Sequence, residues 1–380
     1  MGLPRRRVLF WAQSFWPEIG GVEVLGTQTL LALRQRGFEF AVVASHGEAD
    51  LPDLMTYDGI PIHRLPFLQA LSGRDITVFL QARDDVARIK REFKPQLIHV
   101  NFTDPTILFH LQTADVCPAP LLASICVALP EQGGGADTLL GAVLRRASWV
   151  TAVSGAILND ARRLAPEIVG RSSVLHNSVT PPALTPAPLP FNSPRLLCVG
   201  RIVRDKGFDL AVTAFASIAS RFPNARLVIA GDGPARQGLE RLATDLGIAK
   251  RVEFLGWVAP KEVPALMNTS TFVVMPSRWR EAFGLVALEA ALMARPVIAT
   301  RTGGLPEVVD HLHTGLIVER EDTEALAQAI SLLLSSPELA WRMGRAGRKR
   351  ALQLFSWDRF VDAHDALYQR LIKEGSHVHA

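Results

Sequence analysis

Cysteine is scarce in this chain. Its three residues, Cys117, Cys126 and Cys198, are odd in number and fit no metal or redox spacing, which leaves no disulfide framework and suits a reducing compartment. Long apolar runs are missing too. The longest, such as Leu121 to Leu129, hold about nine residues against the roughly 20 of a membrane-spanning helix. Arg5, Arg6 and Arg7 precede an apolar stretch of only Val8 to Ala12, too short for the core of a secretory signal, so a cytoplasmic location is expected. No G-x-x-x-x-G-K-S/T, H-E-x-x-H or G-x-S-x-G occurs, which disfavours a P-loop NTPase, a zincin and an α/β-hydrolase. The histidines are scattered, His377 and His379 lying in the terminal tail, and no metal is expected.

Charge is nearly balanced. Lys and Arg number 41 against 37 Asp and Glu, a net charge of +4. Residues 1–185 hold 17 of each sign, so the excess falls in the second half. No basic stripe is interleaved with aromatics, and nucleic acid is not an expected partner. The cluster Arg83, Arg88, Lys90, Arg91 and Lys94, offset by Asp84, Asp85 and Glu92, is the candidate for peripheral contact with anionic lipid at the inner membrane face. Hydrophobic residues at 48% and charged residues at 21% over 380 positions describe a globular chain of two domains.

The order of segments gives an α/β class. Val8 to Ala12, Phe40 to Ala44, Ile60 to Leu65, Leu97 to Val100, Leu121 to Val127 and Trp149 to Val153 read as strands. Helical spacing runs over Val22 to Arg36 and Asp75 to Phe93, and alternation of this kind predicts parallel sheets covered on both faces. Residues 180–194 contain six prolines and almost no charge, the composition of a stiff connector. Beyond it the alternation restarts with strands Arg195 to Val199, Arg226 to Ala230, Val252 to Leu255, Thr271 to Met275 and Pro296 to Ala299. Helices are expected over Phe208 to Phe222, Ala235 to Leu246 and Gly284 to Ala294, with a helical C-terminus. Two tandem domains with ligands at their strands' carboxyl ends would define a cleft.

Three segments could carry chemistry. In Met275 to Ala294, M-P-S-R-W-R-E-A-F-G-L-V-A-L-E-A-A-L-M-A, Glu289 is the one charged side chain of the last eleven residues. A carboxylate on a buried helix needs hydrogen-bond partners or a ligand. Glu281 stands eight residues earlier, roughly 12 Å along a helical axis, and the amides of Phe283, Gly284 and Leu285 would present positive potential to an anion. Alone, the two acids equally fit a dipole partner and a satisfied structural acid. The second segment, Gly200 to Gly207 (G-R-I-V-R-D-K-G), follows a strand and sets Arg201 and Lys206 five residues apart, so that they could straddle a diphosphate. The third, Gly20-Gly21 between the first strand and helix, can bring backbone to phosphate or sugar oxygens but lacks the dinucleotide fingerprint's third glycine. Gly231-Asp232-Gly233-Pro234 is only G-x-G, a weak signal. His99 at the end of a strand is more often structural than catalytic.

In this order and at these separations the segments resemble glycosyltransferase family 4. Glu281 to Glu289 resembles its E-x7-E signature, G-R-I-V-R-D-K-G its phosphate loop, and Gly303 to Glu307, Gly231 to Pro234 and Phe254 to Gly256 its neighbouring elements. The resemblance is dense over 195–330 and thinner over 8–180. It implies the GT-B fold: two Rossmann-like domains facing an interdomain cleft, with acceptor domain 1–180, linker 181–194, donor domain 195–355 and a helix 356–380 crossing back. It implies a retaining, metal-independent, cofactor-free transferase moving a sugar from a nucleoside-diphosphate sugar to a hydroxyl of a sugar, lipid-linked or small-molecule acceptor. Arg201 and Lys206 would hold the diphosphate, Glu281 the transferred sugar and Glu289 the ribose. Gly200, Phe283, Gly284 and Leu285 would complete the donor cradle, with Gly21 facing it, and the loop after Gly256 would meet the nucleobase. His99, Asn101 and Cys126 fall on the acceptor side; the last two stand where many members carry histidine. That departure keeps open a non-catalytic sugar-nucleotide-binding protein; a GT-B epimerase or phosphorylase is the other alternative.

Overall fold

The computed structural model describes residues 6–18, 20–46, 51–73, 75–102, 105–129 and 138–378. Within it the chain forms two compact units, Met1–His176 with Asp358–Ala380, and Asn177–Trp357.

The first unit is built on an eight-stranded sheet: β1 (Arg6–Trp11), β2 (Phe38–Ser45), β3 (Leu54–Tyr57), β4 (Ile60–Leu65), β5 (Leu97–Phe102), β6 (Leu121–Ile125), β7 (Trp149–Ala152) and β8 (Ser172–Val174). Their spatial order is β3-β4-β2-β1-β5-β6-β7-β8. Among the described residues only the β3–β4 pair is antiparallel. Val8, Leu9, Phe10 and Trp11 are all buried, as a central strand covered on both faces requires. The helix Ile76–Phe93 begins at Asp75, whose carboxylate accepts the Thr77 amide at 2.8 Å and so satisfies an end N–H. The C-terminal helix Trp357–Val378 packs here: Tyr368 meets Phe38 edge-on at 5.4 Å, and Arg370 lies over the Trp149 ring at 3.8 Å.

That 76–93 helix does not present the expected cationic face. Arg83 pairs with Asp84 at 2.8 Å, and Arg88 with Asp85 at 3.0 Å and Glu92 at 3.5 Å. Lys90 is fully buried, donating to the carbonyls of His110 (3.2 Å) and Thr113 (2.9 Å). Arg91 and Lys94 alone of the five remain exposed and without an ion pair among the described residues. Among those residues no helix is long and apolar enough to cross a membrane.

The second unit carries six parallel strands: β9 (Arg195–Val199), β10 (Arg226–Ala230), β11 (Val252–Gly256), β12 (Phe272–Met275), β13 (Val297–Thr300) and β14 (Gly315–Val318). Their order is β11-β10-β9-β12-β13-β14. Its core joins Leu196, Leu227 and Phe272 of the sheet to Phe215, Ile330 and Leu333 of the helices Phe208–Ile218 and Thr323–Ser335. The proline-rich stretch is fastened to this unit. Asn268 accepts from the Ala187 amide at 2.7 Å and donates to the Thr185 carbonyl at 3.0 Å.

Arg295 anchors the same stretch from within the unit. It is 1% exposed and donates to the carbonyls of Met293 (3.0 Å), Ser270 (3.0 Å) and Ala187, and to Asn268 Oδ1 at 2.9 Å. Burial lowers its pKa to about 10. Arg295→Leu strips these acceptors of their donor, and we expect a loss of about 3 kcal/mol. Urea unfolding followed by circular dichroism checks it; an unchanged midpoint would show that water replaces the guanidinium.

Candidate active site

In the six-stranded sheet the order reverses at β9, which has β10 on one side and β12 on the other. Ligands of open α/β sheets bind outside the carboxyl ends of the strands at such a switch point. Both motif-bearing loops of this unit start there, 200–207 from β9 and 276–284 from β12.

The loops touch backbone to backbone. Gly207 has φ +65°, and a Cβ there would lie 2.0 Å from the Pro276 carbonyl oxygen, so only glycine permits the approach. Across this contact Lys206 Nζ donates to Glu281 Oε1 at 2.5 Å, and Ser277 Oγ donates to the same oxygen at 2.8 Å. Glu281 is also held through its backbone, its carbonyl accepting the Gly304 amide at 2.8 Å. Gly303, with φ +52°, lets that strand pass: a Cβ on it would fall 1.9 Å from the Glu281 carbonyl oxygen. The Gly303–Glu307 element therefore supports the Glu281 loop. Gly200 joins this region through its amide to Ala230 O at 3.0 Å. Arg201 is exposed and carries no ion pair among the described residues, leaving its guanidinium available to an anion.

The expected helix from Gly284 begins instead at Leu285 and ends at Leu292, with Gly284 in the left-handed region as its cap. Helical rise thus covers only the second half of the Glu281–Glu289 spacing. The Phe283 ring is buried edge-on against Phe355 at 5.5 Å, which leaves only its backbone to meet a ligand. Leu285 is half-buried at the first helical position. Glu289 is half-buried, and among the described residues its carboxylate has no hydrogen-bond or ion-pair partner. Desolvation pushes its pKa up to about 7.

This shift has a signed consequence. Between the ordinary carboxylate pKa and about 7 the folded chain holds a proton that the unfolded chain has released, so stability falls as pH rises through that window. Glu289→Gln removes the titration. We expect its thermal midpoint to exceed that of the unsubstituted protein near pH 8, and the gap to close near pH 5. Calorimetry at the two pH values checks this; a gap that is the same at both would mean that Glu289 does not titrate there.

In the first unit Gly21 opens the helix Gly21–Arg34 after the β1 loop and is exposed. Asn101 on β5 and Cys126 after β6 meet, Cys126 Sγ donating to Asn101 Oδ1 at 2.8 Å. Burial raises the thiol to about 12, so it stays a protonated donor. His99 does not join them. Its ring is 3% exposed, with Nδ1 2.5 Å from Tyr368 Oη and Nε2 2.7 Å from Ser124 Oγ. Both nitrogens are used inside the core, and burial holds its pKa well below the ordinary value. His99 is a structural residue.

Sequence reasoning misses Ser277 as a holder of Glu281, and it misses Arg278, Asp209 and Glu321. Ser277 and Arg278 lie within the segment singled out, but only the fold reveals their partners. Among the described residues no group of three His, Cys, Asp or Glu side chains stands together as metal ligands do.

Residues 186–350 match the family described as Glycosyl transferases group 1, and residues 19–181 match Glycosyltransferase Family 4. The chain belongs to glycosyltransferase family 4. This family 4 member is 41% identical over 171 residues to the GDP-mannose-dependent alpha-(1-6)-phosphatidylinositol monomannoside mannosyltransferase of Mycobacterium tuberculosis, a match covering 43% of this chain and 44% of that protein. The chain thus spans under half the length of such relatives. It is 28% identical over 299 residues to the glycogen synthase of the same organism, covering 73% of this chain and 69% of the other. Among solved structures, sucrose-phosphate synthase from Thermosynechococcus elongatus superposes with a TM-score of 0.83 at 24% identity, over 97% of this chain and all of that one. Anabaena HepE in complex with UDP and glucose gives 0.78 at 21%, over 97% and 100%. These structures establish the GT-B fold, two Rossmann-like domains.

Proposed function

We propose that this family 4 protein transfers a sugar from a nucleoside-diphosphate sugar to an acceptor hydroxyl with retention of anomeric configuration and without a metal. The observation that carries the reading is the Lys206–Glu281 contact at the switch point, with Arg201, which has no ion pair among the described residues, five residues before Lys206 on the same loop. Two cations and an adjoining acid suit a diphosphate bonded to a polyhydroxylated ring. In the reaction the acceptor oxygen forms a bond to the anomeric carbon on the face that the nucleotide leaves. The bond from that carbon to the phosphate oxygen breaks, and the acceptor proton passes to the departing diphosphate. Arg201 and Lys206 stabilise the charge gathering on the leaving group, a preorganised electrostatic contribution of several kcal/mol. Glu281 would read the transferred sugar's hydroxyls, and Glu289, lacking a partner among the described residues, the ribose.

Mannosyl transfer from GDP-mannose to a lipid-borne acceptor is the reading that the mycobacterial relatives favour. Screening UDP-, GDP- and ADP-sugars by thermal shift, followed by product analysis with sugar and glycolipid acceptors, tests it. One donor is expected to raise the midpoint by several degrees, since a ligand bound only to the native state stabilises it. Stabilisation by none would overturn the reading. Stabilisation without transfer would favour the sugar-nucleotide-binding alternative, which the Cys126–Asn101 pair at the acceptor side keeps in view.

A further inference from the structure

We infer that Arg278 is a positioning residue, clamping the loop that carries Lys206 against the loop that carries Glu281; the inference rests on the donor reading above. Arg278 grips both sides of Lys206 in sequence. Its Nη1 and Nη2 donate to Asp209 Oδ1 (2.5 Å) and Oδ2 (2.7 Å), at the start of the helix that follows the phosphate loop. Its Nη1 also reaches the Arg204 carbonyl at 3.3 Å. The backbone amides of Arg278 and Trp279 both donate to the Asp205 carbonyl, at 2.8 and 3.2 Å. Residues 204, 205 and 209 are thus tied to one arginine, and Lys206 lies between the ties. From the far side Nε donates to Glu321 Oε1 at 2.7 Å, and Arg320 Nη1 reaches the Arg278 carbonyl at 3.4 Å.

Two features make this a positioning device. The Arg278 side chain is only 17% exposed, and its bidentate pair with Asp209 fixes direction as well as distance. A lysine at this position would keep the charge but could not hold Asp209 through two parallel bonds while also meeting Glu321. Arg278 lies three residues before Glu281 and one after Ser277, so a shift of its anchor moves the group that receives Lys206. The ligand it serves is the diphosphate of the donor.

The test is a double-mutant cycle on binding of the free nucleoside diphosphate, UDP or GDP, measured by calorimetry, with kcat followed alongside. In the unsubstituted background Arg278→Lys is expected to weaken binding about tenfold, whereas in a Lys206→Ala background it should weaken it less than about twofold, since residues in one network couple by such amounts. Asp209→Asn, which leaves Arg278 itself in place, should repeat the pattern and serves if Arg278→Lys fails to fold. Equal losses in both backgrounds would overturn the proposal and leave Arg278 a general support of the unit. Failure of the unsubstituted protein to bind any nucleoside diphosphate is a separate outcome, which ends the donor reading and this inference with it.

Discussion

Lys206→Ala is expected to lower kcat about a thousandfold with little change in thermal stability, because removing one preorganised donor from a developing anion costs about two to three orders of magnitude. The side chain is 30% exposed, so its removal opens no cavity. Glu281 keeps the Ser277 hydroxyl and its own backbone anchor at Gly304, so the loop stays in place. What is lost, on the proposed reading, is the ammonium that would meet the diphosphate as the anomeric bond breaks. Lys206→Arg retains charge but brings a planar fork where a compact point charge sat, and should recover only part of the rate. Steady-state kinetics with the donor found in the nucleotide screen decides it. A kcat within about threefold of the unsubstituted protein would place the leaving-group charge elsewhere.

How much of this fold and site is legible in the sequence depends on the distance along the chain over which the physics acts. Strands β9 and β10 are legible to the residue, Arg195–Val199 and Arg226–Ala230, because each is an apolar run closed by a glycine. β3 and β8 are not. β3 is an edge strand with Leu54 58% exposed, and β8 has three residues, so neither shows the alternation that burial imposes. The donor loops are legible because their glycines, cations and acids are contiguous in the chain. Arg278 is not, since Asp209 and Glu321 lie 69 and 43 residues away and no spacing rule joins them. His99 is read as structural from its strand, and only the resemblance sets it on the acceptor side. What the sequence does not show is its partner, since the Tyr368 hydroxyl that meets Nδ1 comes from 269 residues further along. The pairing within the 76–93 helix is hidden on similar grounds, because sequence counts cations without showing which are already paired or buried.

Glu281→Ala is expected to separate two properties that usually fall together: binding of the free nucleoside diphosphate should tighten about fivefold to tenfold, while sugar transfer drops at least about a hundredfold. The reason is the same 2.5 Å contact read in the other direction. In the unliganded protein Lys206 already faces a carboxylate, and Glu281 is only 17% exposed, so screening by water and salt is weak. An arriving diphosphate must therefore share Lys206 with Glu281 or displace it. Removing the acid removes that competitor and its repulsion of the phosphates. On the proposed reading it also removes the group that would hold the transferred sugar, so the gain in affinity should not become rate. Glu281→Gln separates charge from shape. The amide keeps an acceptor for Ser277 and loses the charge, so the affinity gain should persist while the loss of transfer is smaller. Calorimetry with the diphosphate alone and turnover with the full donor give the two numbers. If affinity and rate fall together in both variants, the pair props the loop open rather than holding the phosphate site, and Lys206 meets its ligand only by way of Glu281.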